Sequence, residues 1–273
     1  MSSFYISKIK KSSPLRQLIR ARMVWRYSKS RIIDSIEWIN QRTPLSNHYY
    51  DLDDFNSVEI CYFLSQNLNQ PFETISNYLM EILNEERMDP FVKSNLPSNV
   101  QFGFGRRVVW YVAVRVLKPK IVVETGVHEG MGTYVICRAL EMNEIEGYMG
   151  LALGTEINPN CGRLIPERLR KYSRIMLGDS LETLKNLTSN IDIFINDSNH
   201  DAEYEFEEYT VIEKLLSKNS LILGDNSHAT HSLRKFCQLT GRLFYFLPET
   251  PKNHWYLGAG VGFAVSSSYG REI

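Results

Sequence analysis

From about residue 100 onward, short runs of β-branched and aliphatic residues alternate with stretches of helical period, and this alternation constrains the fold more than any other feature. Strands are expected at residues 121–124, 149–156, 174–177, 191–196 and 221–223. Helical stretches follow the first of these to about residue 142 and the fourth from about 202 to 217. Strands joined through helices lie parallel, with right-handed crossovers. Two later strands, 243–247 and 261–265, have no long helix between them and are expected to be antiparallel. The class is therefore α/β, a doubly wound sheet closed by an antiparallel C-terminal hairpin.

The first 99 residues read differently, as a helical N-terminal region ahead of a main domain spanning 100–273. Asn56 or Ser57 can cap a helix through Leu64. Residues 71–86 place Ile75, Tyr78, Leu79, Ile82 and Leu83 on one face, and 88–100, with its prolines, reads as a linker. Residues 1–31 hold nine basic side chains, including Lys8, Lys10, Lys11, Arg16, Arg20 and Arg26, and no acid. From Pro14 the arm has helical period, with Leu15, Leu18, Ile19 and Met23 recurring. It can lie peripherally on an anionic membrane, form a lid or oligomer contact, or be a solvated basic face. A homo-oligomer is expected.

The formal net charge is +0, which argues against a nucleic-acid footprint over the whole domain. The four cysteines, Cys61, Cys137, Cys161 and Cys237, form no CxxC pair, so a zinc site or disulfide framework is not expected. With no secretory signal and no membrane-spanning apolar run, a cytoplasmic location is expected.

The first strand ends in Glu124-Thr125-Gly126-Val127-His128-Glu129-Gly130-Met131-Gly132. In doubly wound sheets ligands sit at the carboxyl ends of the strands, near the switch in strand order. Glycines there let backbone turn sharply and approach a ligand closely. The spacing is G-x-x-x-G-x-G, not the G-x-G-x-x-G of a dinucleotide site. Glu124 would repel a pyrophosphate but can accept hydrogen bonds from a cationic amino-acid group. Spacing and Glu124 together disfavour the competing reading, a NAD-dependent oxidoreductase. The next two strand tips also carry acids: Glu156, placed to accept ribose hydroxyls, and Asp179, followed by Ser180, placed toward a base edge.

The fourth and fifth strands end at Asp197 and at Asp225-Asn226, with His200 three residues after Asp197. Asp197, Asp225 and Asn226 form a hard-oxygen set suited to Mg²⁺ or another divalent cation. Such an ion would acidify a substrate hydroxyl, with His200 as the proton acceptor. The two aspartates could equally cap the helices that follow, and both readings stand at this stage. Phe102, Phe104, Trp110, Trp255 and Tyr256 could line an acceptor pocket, although aromatic residues more often build the core. The segment Asn253-His254-Trp255-Tyr256 joins the last two strands and could shape substrate entry.

Together these motifs resemble class I methyltransferases over residues 100–265, in particular the small-molecule and sugar O-methyltransferase branch that includes cephalosporin-hydroxylase-like and macrolide-sugar relatives. The resemblance is carried by the loop from Glu124 to Gly130, by Thr155-Glu156-Ile157-Asn158-Pro159, by Leu177-Gly178-Asp179-Ser180, by Asn196-Asp197-Ser198-Asn199-His200 and by Leu223-Gly224-Asp225-Asn226. It implies a Rossmann-like, seven-stranded sheet and S-adenosylmethionine as cofactor. Glu124 and Gly126 would meet the methionine part on a loop completed by Gly130 and Gly132. Glu156 would meet the ribose, and Asp179 with Ser180 the adenine. It also implies methyl transfer to a hydroxyl of a sugar, glycan or small metabolite. Metal-dependent catechol-type relatives carry an Asp, Asp, Asn ligand set with a base three residues after the first Asp, which Asp197, Asp225, Asn226 and His200 match. The sugar-modifying relatives usually carry a second acid where Asn199 stands, and this departure motivates a further alternative, a non-catalytic module that keeps the cofactor fold.

Overall fold

In the computed structural model, residues 13–40, 49–88, 103–252 and 254–267 are described. Lys8, Lys10, Lys11, most of the expected linker, Phe102 and Asn253 lie outside them. The chain divides into two compact units, one of residues 1–43 with 253–257, the other of 44–252 with 258–273. The first unit contains α1 (Ser13–Ile39), a single helix of 27 residues with Pro14 in its first turn, where proline's missing N–H costs nothing. In the same unit His254, Trp255 and Tyr256 cluster ring to ring.

The larger unit opens with α2 (Asp54–Asn67) and α3 (Phe72–Met88). Asp53 caps α2 by accepting from the Phe55 N–H at 2.9 Å, three residues before the expected cap. Then come α4 (Arg107–Leu117), β1 (Ile121–Thr125), α5 (Met131–Ile145), β2 (Leu151–Glu156) and β3 (Ser173–Leu177). These are followed by α6 (Ser180–Lys185), β4 (Ile191–Asn196), α7 (Ala202–Ile212), β5 (Leu216–Gly224), α8 (Ser232–Thr240), β6 (Leu243–Pro248) and β7 (Gly260–Val265). The helix expected to reach residue 217 ends at Ile212, and the chain enters β5 through one 3-10 turn. As a result β5 begins five residues before its expected start.

The sheet has seven strands in the order β3-β2-β1-β4-β5-β7-β6. Its first five strands are parallel, and β7 inserts antiparallel between β5 and β6. The expected antiparallel ending is therefore present. It is a hairpin whose second strand carries the pairing to β5, and every residue of β7 is buried. Val123, Phe194, Ile222 and Ala264 from four adjacent strands pack with Tyr209, Leu233 and Phe236 from α7 and α8 into a continuous core. The strand order reverses between β1 and β4, so their carboxyl ends splay connections to opposite faces and open a crevice there.

Candidate active site

At that crevice lies a cavity of about 680 Å³, within the range of small-molecule sites. Gly126, Glu156, Asp179, Ser180, Asp197, His200 and Asp225 all line it, so the strand-tip residues chosen from sequence converge on one space. Glu124, Gly130, Gly132 and Asn226 do not line it. Phe104 and Trp110 are fully buried core residues rather than pocket lining. A second cavity of about 710 Å³ lies at the opposite end of the sheet, among residues such as Lys118, Lys120, Asn190 and Asp192. It lacks the convergence of acids, histidine and glycine loop.

The loop after β1 is shaped by close approach. Gly126 has φ +83°, and a Cβ there would stand 2.1 Å from the Asp197 carbonyl oxygen. Behind the loop, Glu124 is 2 % exposed and accepts a 2.5 Å hydrogen bond from the Thr133 hydroxyl. Burial pushes its carboxyl up to about 8, against the opposing pull of the Thr133 bond and of Arg107. A Cβ on Gly132 would meet the Glu124 carboxylate at 2.1 Å, so that glycine makes room for the acid.

Glu156 at the tip of β2 is held from below. One oxygen accepts the His128 N–H at 2.6 Å and the other the Asn158 N–H at 2.9 Å. His128 itself takes the left-handed conformation, φ +48°, uncommon for a residue with a side chain. Asp179 caps α6 through the Glu182 N–H at 3.2 Å and accepts the Tyr204 hydroxyl at 2.7 Å. Ser180 donates to the buried Glu208, which also takes a hydrogen bond from Ser198 at 2.8 Å and one from Asn196. Glu208 thereby ties the Asp179-Ser180 corner to the tip of β4.

The capping alternative for Asp197 and Asp225 is not what the structure shows. Asp201 caps α7, through the N–H groups of Glu203 and Tyr204 at 3.0 Å each. His231 precedes α8 without a side-chain cap. Asn199 accepts the Asp201 N–H at 3.1 Å, so the residue in the place of the expected acid shapes the approach to α7.

Nor does the set fit a divalent cation. Arg106 grips Asp225 with both prongs of its guanidinium, Nε to one oxygen and Nη2 to the other. Asn226 directs its Oδ1 to His200. Among the described residues, no group of three His, Cys, Asp or Glu side chains is arranged to hold a metal ion. Burial opposes the charge on Asp225, but Arg106 outweighs it and holds this carboxyl below the usual range. Asp197, beside it, is pushed well up by burial and by the Asp225 charge, with Arg107 and Arg106 opposing. The Arg107 Nη2 stands 3.9 Å from Asp197.

His200 Nδ1 pairs with the Asn226 Oδ1; where Nδ1 donates to this amide oxygen, the neutral ring keeps its lone pair at Nε2. Sequence reasoning missed Arg106, Arg107, Glu208 and Glu249. The adjacent arginines at the head of an otherwise apolar run were the available signal for the first two.

A seven-stranded 3-2-1-4-5-7-6 sheet with its site at the β1/β4 crevice defines a class I methyltransferase fold. Residues 123–227 match the family model described as a methyltransferase domain. No curated protein matches the chain by sequence. Among solved structures, an O-methyltransferase from Bacillus cereus in complex with SAH is 17 % identical, covering 77 % of this chain and 97 % of that one, with a TM-score of 0.48. The O-methyltransferase TomG from Streptomyces achromogenes, involved in tomaymycin synthesis and solved with SAM, is 16 % identical, covering 76 % and 96 %, TM-score 0.47. Spermidine synthase from Thermotoga maritima is 13 % identical, covering 55 % of each chain, TM-score 0.43.

Proposed function

We propose that the protein transfers a methyl group from S-adenosylmethionine to a hydroxyl of a sugar, glycan or small metabolite. The observation that carries this reading is the meeting, in one cavity, of Gly126, Glu156, Asp179 and Ser180 with His200, whose Nδ1 is paired with the Asn226 Oδ1. The first four are a donor and acceptor set suited to an amino-acid nucleoside. Glu156, anchored by two backbone N–H groups, keeps lone pairs for a ribose diol. When bound, the cofactor supplies an electrophilic methyl group on a sulfonium. Asn226 orients His200, and His200 takes the acceptor's hydroxyl proton at Nε2 as the oxygen attacks. The packed crevice aligns donor and acceptor, which supplies much of the rate.

Calorimetry with S-adenosylmethionine and S-adenosylhomocysteine tests the reading, and absence of binding by both overturns it. Glu156→Ala is expected to weaken S-adenosylhomocysteine binding by about 10- to 100-fold, since bonds to a charged acceptor contribute about 1.5–3 kcal/mol. His200→Ala is expected to leave that affinity unchanged while slowing methyl transfer by about 10²- to 10⁴-fold, the usual share of a general base. A screen with radiolabelled cofactor identifies the acceptor.

A further inference from the structure

We propose that the guanidinium of Arg106 permanently fills the seat at the β5 tip that a divalent cation would otherwise take, so that the acceptor is not held by metal chelation. This rests on the methyltransferase reading above and assigns the charge arrangement of the same site.

The arginine is fixed on every side. Two of its nitrogens fork onto Asp225, the geometry in which guanidinium and carboxylate pair most specifically. The third, Nη1, donates to Glu249 at 2.9 Å and to the Tyr50 hydroxyl at 3.2 Å. The backbone N–H of Arg106 reaches the other Glu249 oxygen at 3.2 Å. Glu249 is itself held by the Tyr50 hydroxyl and by the Ala259 N–H, each at 2.9 Å. Arg106 is therefore a built-in cation rather than a surface side chain that swings aside.

The carboxylates already have cationic partners: Arg106 pairs with Asp225 and Glu249, and Arg107 stands 3.9 Å from Asp197. A doubly charged ion at Asp225 would displace a buried guanidinium and stand against Arg107, a cost hard-oxygen ligands repay only when they are free. They are not free: Asn226, which would be a third ligand, is turned to His200. A metal-chelating acceptor needs two neighbouring oxygens on the ion. With an arginine in the seat, a single hydroxyl presented to His200 suffices.

The test is a Mn²⁺ titration of the full chain followed by electron paramagnetic resonance, with and without S-adenosylhomocysteine. The expected result is no stoichiometric Mn²⁺ binding by the unaltered protein, and no rise in Tm on adding Mg²⁺ in place of EDTA, since an ion binding only the folded state would raise it. Arg106→Met is expected to gain Mn²⁺ affinity by about tenfold or more, with Asp225→Asn in the same chain abolishing the gain. One Mn²⁺ per chain in the unaltered protein, lost in Asp225→Asn, overturns the proposal. So does a folded Arg106→Met protein that gains no site. If Arg106→Met does not fold, the titration and melting of the unaltered protein decide alone. S-adenosylhomocysteine binding in the same samples keeps the two readings apart. Mn²⁺ binding with intact cofactor binding defeats only the arginine seat, whereas failed cofactor binding defeats the methyltransferase reading.

Discussion

Glu124 shows how much of a residue's behaviour is set by what encloses it. Its carboxyl, pushed up to about 8 by burial, is mostly neutral at pH 6 and mostly charged at pH 9. An acid whose folded pKa lies above its unfolded value keeps its full contribution to stability below the unfolded pKa and loses it as pH rises through the folded one. The loss for Glu124 therefore develops between about pH 4.5 and pH 8, and at one unit per 1.36 kcal/mol it reaches the order of 4 kcal/mol. Glu124→Gln is expected to melt close to the unaltered protein at pH 5 and well above it at pH 9, read by calorimetric melts across that range. Equal melting differences at both pH values would sink this assignment. That acids end successive strands is visible in the sequence, because strand and helix periods locate the tips. Which of them are ionised is not, because Arg106 meets Asp225 across 119 residues of chain and no spacing rule reaches that far.

Among elements, α4 was the least legible. Its sequence, Arg-Val-Val-Trp-Tyr-Val-Ala-Val-Arg-Val-Leu, is rich in β-branched residues and has no polar face, so periodicity cannot separate it from a strand. The structure gives the reason, since residues 108–115 are buried without interruption. A helix covered on all sides shows no stripe. The strands of the sheet, in contrast, were readable because each is short, apolar and bounded by turn residues. Helix α4 also carries the buried Arg115, which binds Glu81 of α3 at 2.9 Å and Glu146 beyond α5 at 2.6 Å. It donates as well to Asn143 and stacks over the Tyr78 ring at 4.4 Å. One side chain thus fastens three helices. Arg115→Met is expected to cost about 2–3 kcal/mol, less than the loss of a partner in a fully buried pair because both glutamates retain contact with water. Denaturant unfolding should show the deficit, with a Tm lower by roughly 5–10 °C. A change within error would mean that these contacts contribute nothing net.

At the scale of the whole molecule, charge is balanced overall yet uneven along the chain, with the acid-free stretch running into α1. No helix among the described residues is long and apolar enough to cross a membrane. The 27 residues of α1 form a rod of about 40 Å bearing Arg16, Arg20, Arg22 and Arg26 among apolar side chains. Co-sedimentation with anionic vesicles is expected to weaken as salt rises, because exposed charges are screened over about 10 Å at 0.1 M. Equal sedimentation with neutral vesicles would remove the electrostatic attraction. The junction between Gly126 and Asp197 bears on anyone who would retrain this protein for a new acceptor. With no room for even one methyl group between the loop after β1 and the backbone just past β4, those two segments are a single machined part. Libraries that vary residue 126 will mostly return broken proteins. The adjustable surface is elsewhere in the lining, at the exposed Ile157 just beyond β2, whose exchange leaves the bonds of His128 to Glu156 and of Tyr204 to Asp179 in place.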